Sequence, residues 1–302
     1  METISNYKTL FWNAMRCNQE ALAEISQIPH SAEGNIVPDD FNKGFTAALE
    51  KENLFRRYGT VINTTTSKSR IQAVSSTGTA EWLDELATIS ESADTFIQFL
   101  VNSYKLASMS KINSAFISDL GFNLENYLLN EFARRFGRSE EDAFINGDGV
   151  DAPCGILNTT KGGQIGVTAA DTSTVNYDEI IGLYFSLKPE HRKNAVWLMN
   201  DETAFVLRTL KDNSGNYLWN NADNTILGKP VEYSMYMPNI ESGKIPLAFG
   251  DLSYYWIIQR KPLAIKLLTE KYCLQGYVGF YGHERLDGKL ILPEAVKLLK
   301  MA

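Results

Sequence analysis

The sequence predicts an α+β protein with extended appendages. Three observations carry that reading: a long amphipathic helix in the middle of the chain, extended runs rich in β-branched and aromatic residues on both sides of it, and helices and strands that intermingle with neither an internal repeat nor a low-complexity linker.

In chain order, residues 6–26 place Leu10, Phe11, Met15, Ala21, Leu22 and Ile25 on a loose helical stripe that breaks at Ile28-Pro29. It reads as an arm outside the core. Residues 34–41 restart structure with a turn and a helix start, and Ala48, Leu49, Leu54 and Phe55 carry the helix towards Tyr58. Thr60–Thr66 and Thr95–Ala107 read as the two strands of a long hairpin with a polar tip, where Trp82 and Glu85 are expected to meet another subunit. A two-stranded hairpin is marginal alone in water, so it needs a surface to lie on.

The central helix is predicted over 119–138, where Leu120, Leu124, Tyr127, Leu128, Phe132 and Phe136 recur every three or four positions. Ser118 or Asp119 would cap it, and about twenty residues give roughly 30 Å of strut. Asn146-Gly147-Asp148-Gly149 then reads as a tight turn, with glycines free to take positive φ and Pro153 directing the exit. Further on, Asn176 caps a helix, Ala195–Met199 is a buried strand, and Asn200-Asp201 caps a helix running to about Leu210. Residues 254–260, 263–268 and 273–286 read as three strands, and 289–295 as an edge strand before a basic tail.

With 302 residues, 44% hydrophobic and 22% charged, the chain has the composition of a packed globular protein. A net charge of −7 argues against a chain whose main task is gripping nucleic acid. Cys17, Cys154 and Cys273 lack the spacing of a zinc site or a disulfide framework and read as reduced thiols. No apolar run suits a membrane helix, and Met1-Glu2-Thr3 does not open a secretory signal, which predicts a cytosolic chain where it is made.

Signs of catalysis are thin. Neither glycine-rich phosphate motif occurs, and Asn146–Asp151 lacks the glutamate that would close a calcium loop. His30, His191 and His283 stand in no metal-ligand spacing, so no metal and no cofactor is expected. Glu140, Glu141 and Asp142 read as a solvated helix end. Glu284 and Arg285 read as part of an exposed or interface ion pair rather than acid/base machinery.

The run from Lys105 through Ser118, the helix after it, Ala143–Gly149 and Pro153–Leu157 resembles the major capsid proteins of tailed bacteriophages. Trp197–Asn200, Leu210–Asp212 with Gly215–Tyr217, Leu227–Val231, Ala248–Asp251, Pro293–Ala295 and, ahead of the hairpin, 34–38 stand in that family's order, so the resemblance covers about 34–300. It implies an N-terminal arm (1–33), a P-domain starting at 34–58, a hairpin called the E-loop with its base (59–112), the P-domain spine helix and following turns (113–170), a mainly A-domain region (171–262) and a return to the P-domain (263–302). It further implies pentamers and hexamers closing an icosahedral virion shell around double-stranded DNA held without sequence recognition, with assembly in the host bacterial cytoplasm. Portal and scaffolding proteins are the other expected partners, E-loop and arm reaching neighbouring subunits. A shell of the encapsulin type, enclosing a cargo enzyme, is the alternative. Many relatives carry a removable N-terminal scaffolding segment, whereas Met1 stands near where a mature arm would begin. Some join subunits by a lysine–asparagine cross-link; the matching positions fall near Leu86 and Gly276, so none is expected here.

Overall fold

The computed structural model describes residues 2–27, 35–64, 70–76, 95–119, 121–211, 214–219 and 224–302. Its helices are α1 (Glu2–Met15), α2 (Gln19–Ser26), α3 (Asp39–Glu52), α4 (Leu54–Tyr58), α5 (Ser114–Ser118), α6 (Leu124–Asn146), α7 (Tyr177–Ser186), α8 (Pro189–Arg192) and α9 (Asp201–Thr209). Its strands are β1 (Asn35–Ile36), β2 (Thr60–Asn63), β3 (Arg70–Ser76), β4 (Thr95–Leu100), β5 (Tyr104–Asn113), β6 (Gln164–Thr168), β7 (Val196–Met199), β8 (Thr225–Ile226), β9 (Lys229–Tyr233), β10 (Leu247–Gly250), β11 (Tyr255–Leu268), β12 (Tyr277–Leu290) and β13 (Val296–Lys300).

Helix α6 is the strut, but shifted along the chain from its expected place. Asp119 spends its carboxylate on the amide of Gly121 at 2.8 Å, and Asn123 caps the helix instead by accepting from Asn126 N. The 23 residues of α6 span roughly 35 Å. Leu124, Leu128, Phe132, Phe136, Glu140 and Phe144 follow one another at four-residue steps along its buried face. Close approach to its neighbours depends on missing side chains. A Cβ on Gly137 would meet Glu52 Cβ of α3 at 2.8 Å, and one on Gly282 of β12 would meet the Phe132 ring at 2.8 Å.

Under α6 lies a five-stranded sheet in the order β1-β11-β12-β5, with β2 pairing alongside β11. The two strands expected at 254–260 and 263–268 are one continuous strand, β11, with register shifts between Gln259 and Ala264. Pro262 explains the irregularity: it has no N–H to donate, and the outer edge of β11 is divided there between parallel β2 and antiparallel β1. The expected hairpin is correspondingly shorter. Thr60–Asn63 pairs with β11 and Tyr104–Asn113 with β12, leaving β3 and β4 to pair with each other as a separate two-stranded sheet.

The second sheet has six strands, β6-β13-β10-β7-β9-β8, and is covered on both faces. Trp197, Met199, Phe249 and Leu299 pack towards α7 and α9, with Trp197 stacked on Phe249 at 4.1 Å. Val196, Leu198, Ala248, Val296 and Leu298 point the other way, towards Phe55, Phe144 and Tyr255. That apolar layer joins the two sheets. The stretch expected to be an edge strand and basic tail becomes a short turn, Pro293–Ala295, and then β13, an interior strand between β6 and β10. Val296, Leu298, Leu299 and Met301 are buried, which outweighs the basic residues between them.

Residues 2–27 also depart from expectation. Phe11, Ala14 and Met15 of α1, with Ala21 and Ile25 of α2, are buried in the same cluster as Phe41, Phe45 and Phe136. Arg16 fastens them by donating to the carbonyls of Ile117, Asp119 and Phe122 at 2.7–3.2 Å, where α5 ends.

Candidate functional site

Two helices and two strands meet at a buried charged centre. Arg56 of α4 donates Nε to Glu140 Oε2 at 2.9 Å and a terminal nitrogen to Oε1 at 2.5 Å, a bidentate fork. Asn53, just before α4, adds a third bond to Glu140 at 3.1 Å. On the far side Glu284 of β12 is fully buried and receives Gln259 Nε2 of β11 at 3.3 Å.

Two carboxylates and one guanidinium without water cannot all be charged cheaply. Desolvation first, then the charge of Glu140, pushes the Glu284 carboxyl well above its usual range. It is therefore held protonated, a form that its side-chain hydrogen bond with Glu140 also favours. Burial opposes the charge on Arg56, yet the Glu140 carboxylate outweighs it and raises the guanidinium further. The centre sums to neutral: one cation, one anion, one acid. It pins α4, α6, β11 and β12 together.

Glu284 is thus neither exposed nor paired with Arg285, as the sequence suggested; its charged neighbours come from elements far away in the chain. Arg285 is partly exposed on β12, in register with Lys105 of β5. Glu140 and Glu141 are likewise buried, not solvated, because α6 continues past them to Asn146. Glu141 accepts from Ser234 Oγ at 2.5 Å and Leu54 N at 3.3 Å. One signal in the sequence could have found this centre: Glu140 stands in register with Phe132, Phe136 and Phe144 on the apolar stripe.

Asn146, Gly147, Asp148 and Gly149 do come together as one turn. Gly147 N closes α6 on Ala143 O, and a Cβ there would strike Pro153 O at 2.0 Å. Asp148 accepts amides from Val150, Asp151 and Ala152 at 2.9–3.4 Å, which hold its carboxyl below the usual range. Gly149 takes φ +76°. The turn is wired to the base of the β3–β4 hairpin, because Tyr104 donates its hydroxyl to Gly149 O at 2.8 Å and Asn102 donates to Tyr104. Buried Asp287 accepts Asn102 N at 2.7 Å, and Lys289 bonds the carbonyl of Leu100. Trp82 and Glu85 lie outside the described residues.

Nothing in this arrangement sets a nucleophile beside a base. His283 is buried against Tyr281, and all three cysteines are free thiols. Among the described residues no helix is long and apolar enough to cross a membrane.

Residues 33–301 match the phage capsid family. The chain belongs to that family. This capsid-family chain is 22% identical over 231 residues to the major capsid protein of Klebsiella oxytoca phage phiKO2, across 73% of its own length and 54% of that protein. It therefore spans about half the length of that curated relative. Among solved structures it resembles the capsid of an empty GTA particle computed with C5 symmetry, with a TM-score of 0.73 and 29% identity, covering 83% of this chain and 90% of the other. The capsid of the native GTA particle follows at 0.69 and 30% identity, covering 85% and 90%. The fold is thus the phage capsid fold, a mixed α+β subunit.

Proposed function

We propose that this chain is a structural major capsid protein, which assembles with copies of itself into pentamers and hexamers and closes an icosahedral virion shell around double-stranded DNA. The observation that carries the reading is family membership across residues 33–301, joined to the likeness to a GTA capsid subunit over 83% of the chain. The β3–β4 hairpin supports it, since two strands paired only with each other among the described residues need a neighbour to lie against. In this reading the hairpin is the E-loop. The five-stranded sheet with α3 and α6 serves as the peripheral domain and the six-stranded sheet with α7 and α9 as the axial one. Heterologous contacts, one patch meeting a different patch, close rings of either size.

DNA is held by containment, consistent with a net charge of −7. Portal and scaffolding proteins are the further partners, and assembly takes place in the host bacterial cytoplasm. The relatives named above are phage and GTA capsids, which favours this reading over a compartment enclosing a cargo enzyme. Negative-stain microscopy of the overexpressed protein tests it: rings, tubes or shells are expected, and monodisperse monomers under every condition would overturn it. Nuclease-protected nucleic acid in particles from infected or induced cells separates the virion from the cargo compartment. Denaturing gels of assembled shells should show single chains without covalent ladders.

A further inference from the structure

Helix α8 and the turn Pro293–Ala295 bring together the adjacent Glu190 and His191 with Glu294, which lies more than a hundred residues further along the sequence. One ligand-type atom from each lies within 4.8 Å of the other two. His191 is the anchor. Its side chain is 4% exposed, Nε2 stands 3.5 Å from Glu190 Oε1, and neither ring nitrogen has a hydrogen-bond partner. Tyr254 packs edge-on against the imidazole at 5.1 Å and holds its plane. A buried imidazole aimed at two carboxylates with no bond of its own is costly unless something fills the gap.

We propose that Glu190, His191 and Glu294 form a binding site for a divalent transition-metal cation, with Zn2+ the best fit, tying α8 to the segment that enters β13. An imidazole nitrogen with two carboxylates favours zinc over magnesium or calcium, which prefer all-oxygen shells. Zinc lengths near 2.1 Å put neighbouring ligand atoms about 3.4 Å apart, so the trio must close by at most roughly 1.4 Å. His191 Nε2 and Glu190 Oε1 already stand near that spacing, and the Glu190 and Glu294 carboxylates, 65% and 31% exposed, have the freedom to move while His191 stays fixed. A fourth position remains for water.

Lys188 is the competitor. Its ammonium sits 2.8 Å from Glu294 Oε2 and 4.0 Å from Glu190 Oε1, a half-exposed cation at the place where a metal would bring charge. Zinc binding therefore displaces it.

Calorimetric titration of untagged, chelator-treated protein with Zn2+ tests the site. One zinc per chain is expected, with affinity at least tenfold weaker in His191→Gln and in Glu294→Gln, and several-fold tighter in Lys188→Gln. Glu294 is partly exposed, so that variant keeps the test valid even where His191→Gln does not fold. The visible spectrum of bound Co2+ should report four-coordinate nitrogen and oxygen ligation. No stoichiometric uptake by the unaltered chain, or unchanged affinity in Glu294→Gln, as zinc held on exposed Cys273 would give, overturns the proposal.

Discussion

Replacing Glu284 by glutamine probes the buried charged centre most directly. The folded chain holds a proton on Glu284, whereas the unfolded chain releases it above the ordinary carboxylate value of 4.5. Between that value and the raised folded one, the native state binds more protons than the unfolded state. The favourable contribution is thus complete below about pH 4.5 and is lost as pH rises, at up to ~1.4 kcal/mol per pH unit. Glutamine keeps the shape and a donor hydrogen but does not titrate. The stability of Glu284→Gln relative to the unaltered chain should therefore improve steadily with pH across that window. Urea unfolding of unassembled subunits, followed by tryptophan fluorescence at about pH 5, 6 and 7, measures the difference. A constant gap between the two pH curves would refute a protonated Glu284. Glu140→Gln is the contrasting swap, for it leaves the Arg56 guanidinium buried without its anion and should cost about 3–5 kcal/mol.

Other substitutions read other parts of the fold. Gly282→Ala drives a methyl into the Phe132 ring, so thermal unfolding should show a loss of about 1–3 kcal/mol, partly restored by adding Phe132→Leu; full stability in the single variant would mean that α6 lies less close to β12 than 2.8 Å implies. Asn200 caps α9 through Thr203 N at 2.7 Å and donates to Met237 O, so Asn200→Ala should cost about 1–2 kcal/mol in denaturant titration. Phe205 is 69% exposed on α9, and Phe205→Asp should leave subunit stability within about 0.5 kcal/mol while lowering the yield of shells. Unchanged shell yield by sedimentation would remove Phe205 from the proposed contacts between subunits.

Features with local causes were legible in the sequence. The capping box of Asn176 and Glu179, the cap at Asn200, the all-apolar strand 196–199 and the turn at Asn146–Gly149 each depend on residues within a few positions of one another. Cap geometry and glycine's freedom at positive φ act at that range, so inspection of neighbours suffices. The order of the larger pieces was legible as well, and the motifs from Lys105–Ser118 to Pro293–Ala295, standing in that order, carried the resemblance to capsid proteins.

Pairing and burial were decided only by the tertiary structure. Nothing near Thr60–Asn63 says that it pairs with a strand two hundred residues on rather than with the returning arm of its hairpin, since β-branched residues suit either partner. The charges misled for the same reason. Glu140 looks solvated and Glu284 exposed or at an interface beside their sequence neighbours, and only folding encloses them with Arg56 in one buried volume where a single carboxylate keeps its proton. His191 and Glu294 meet by the same kind of long-range closure, as β13 slots into the middle of the six-stranded sheet and carries its preceding turn up to α8. Local sequence chooses the elements; what each one buries depends on partners that local chemistry does not encode.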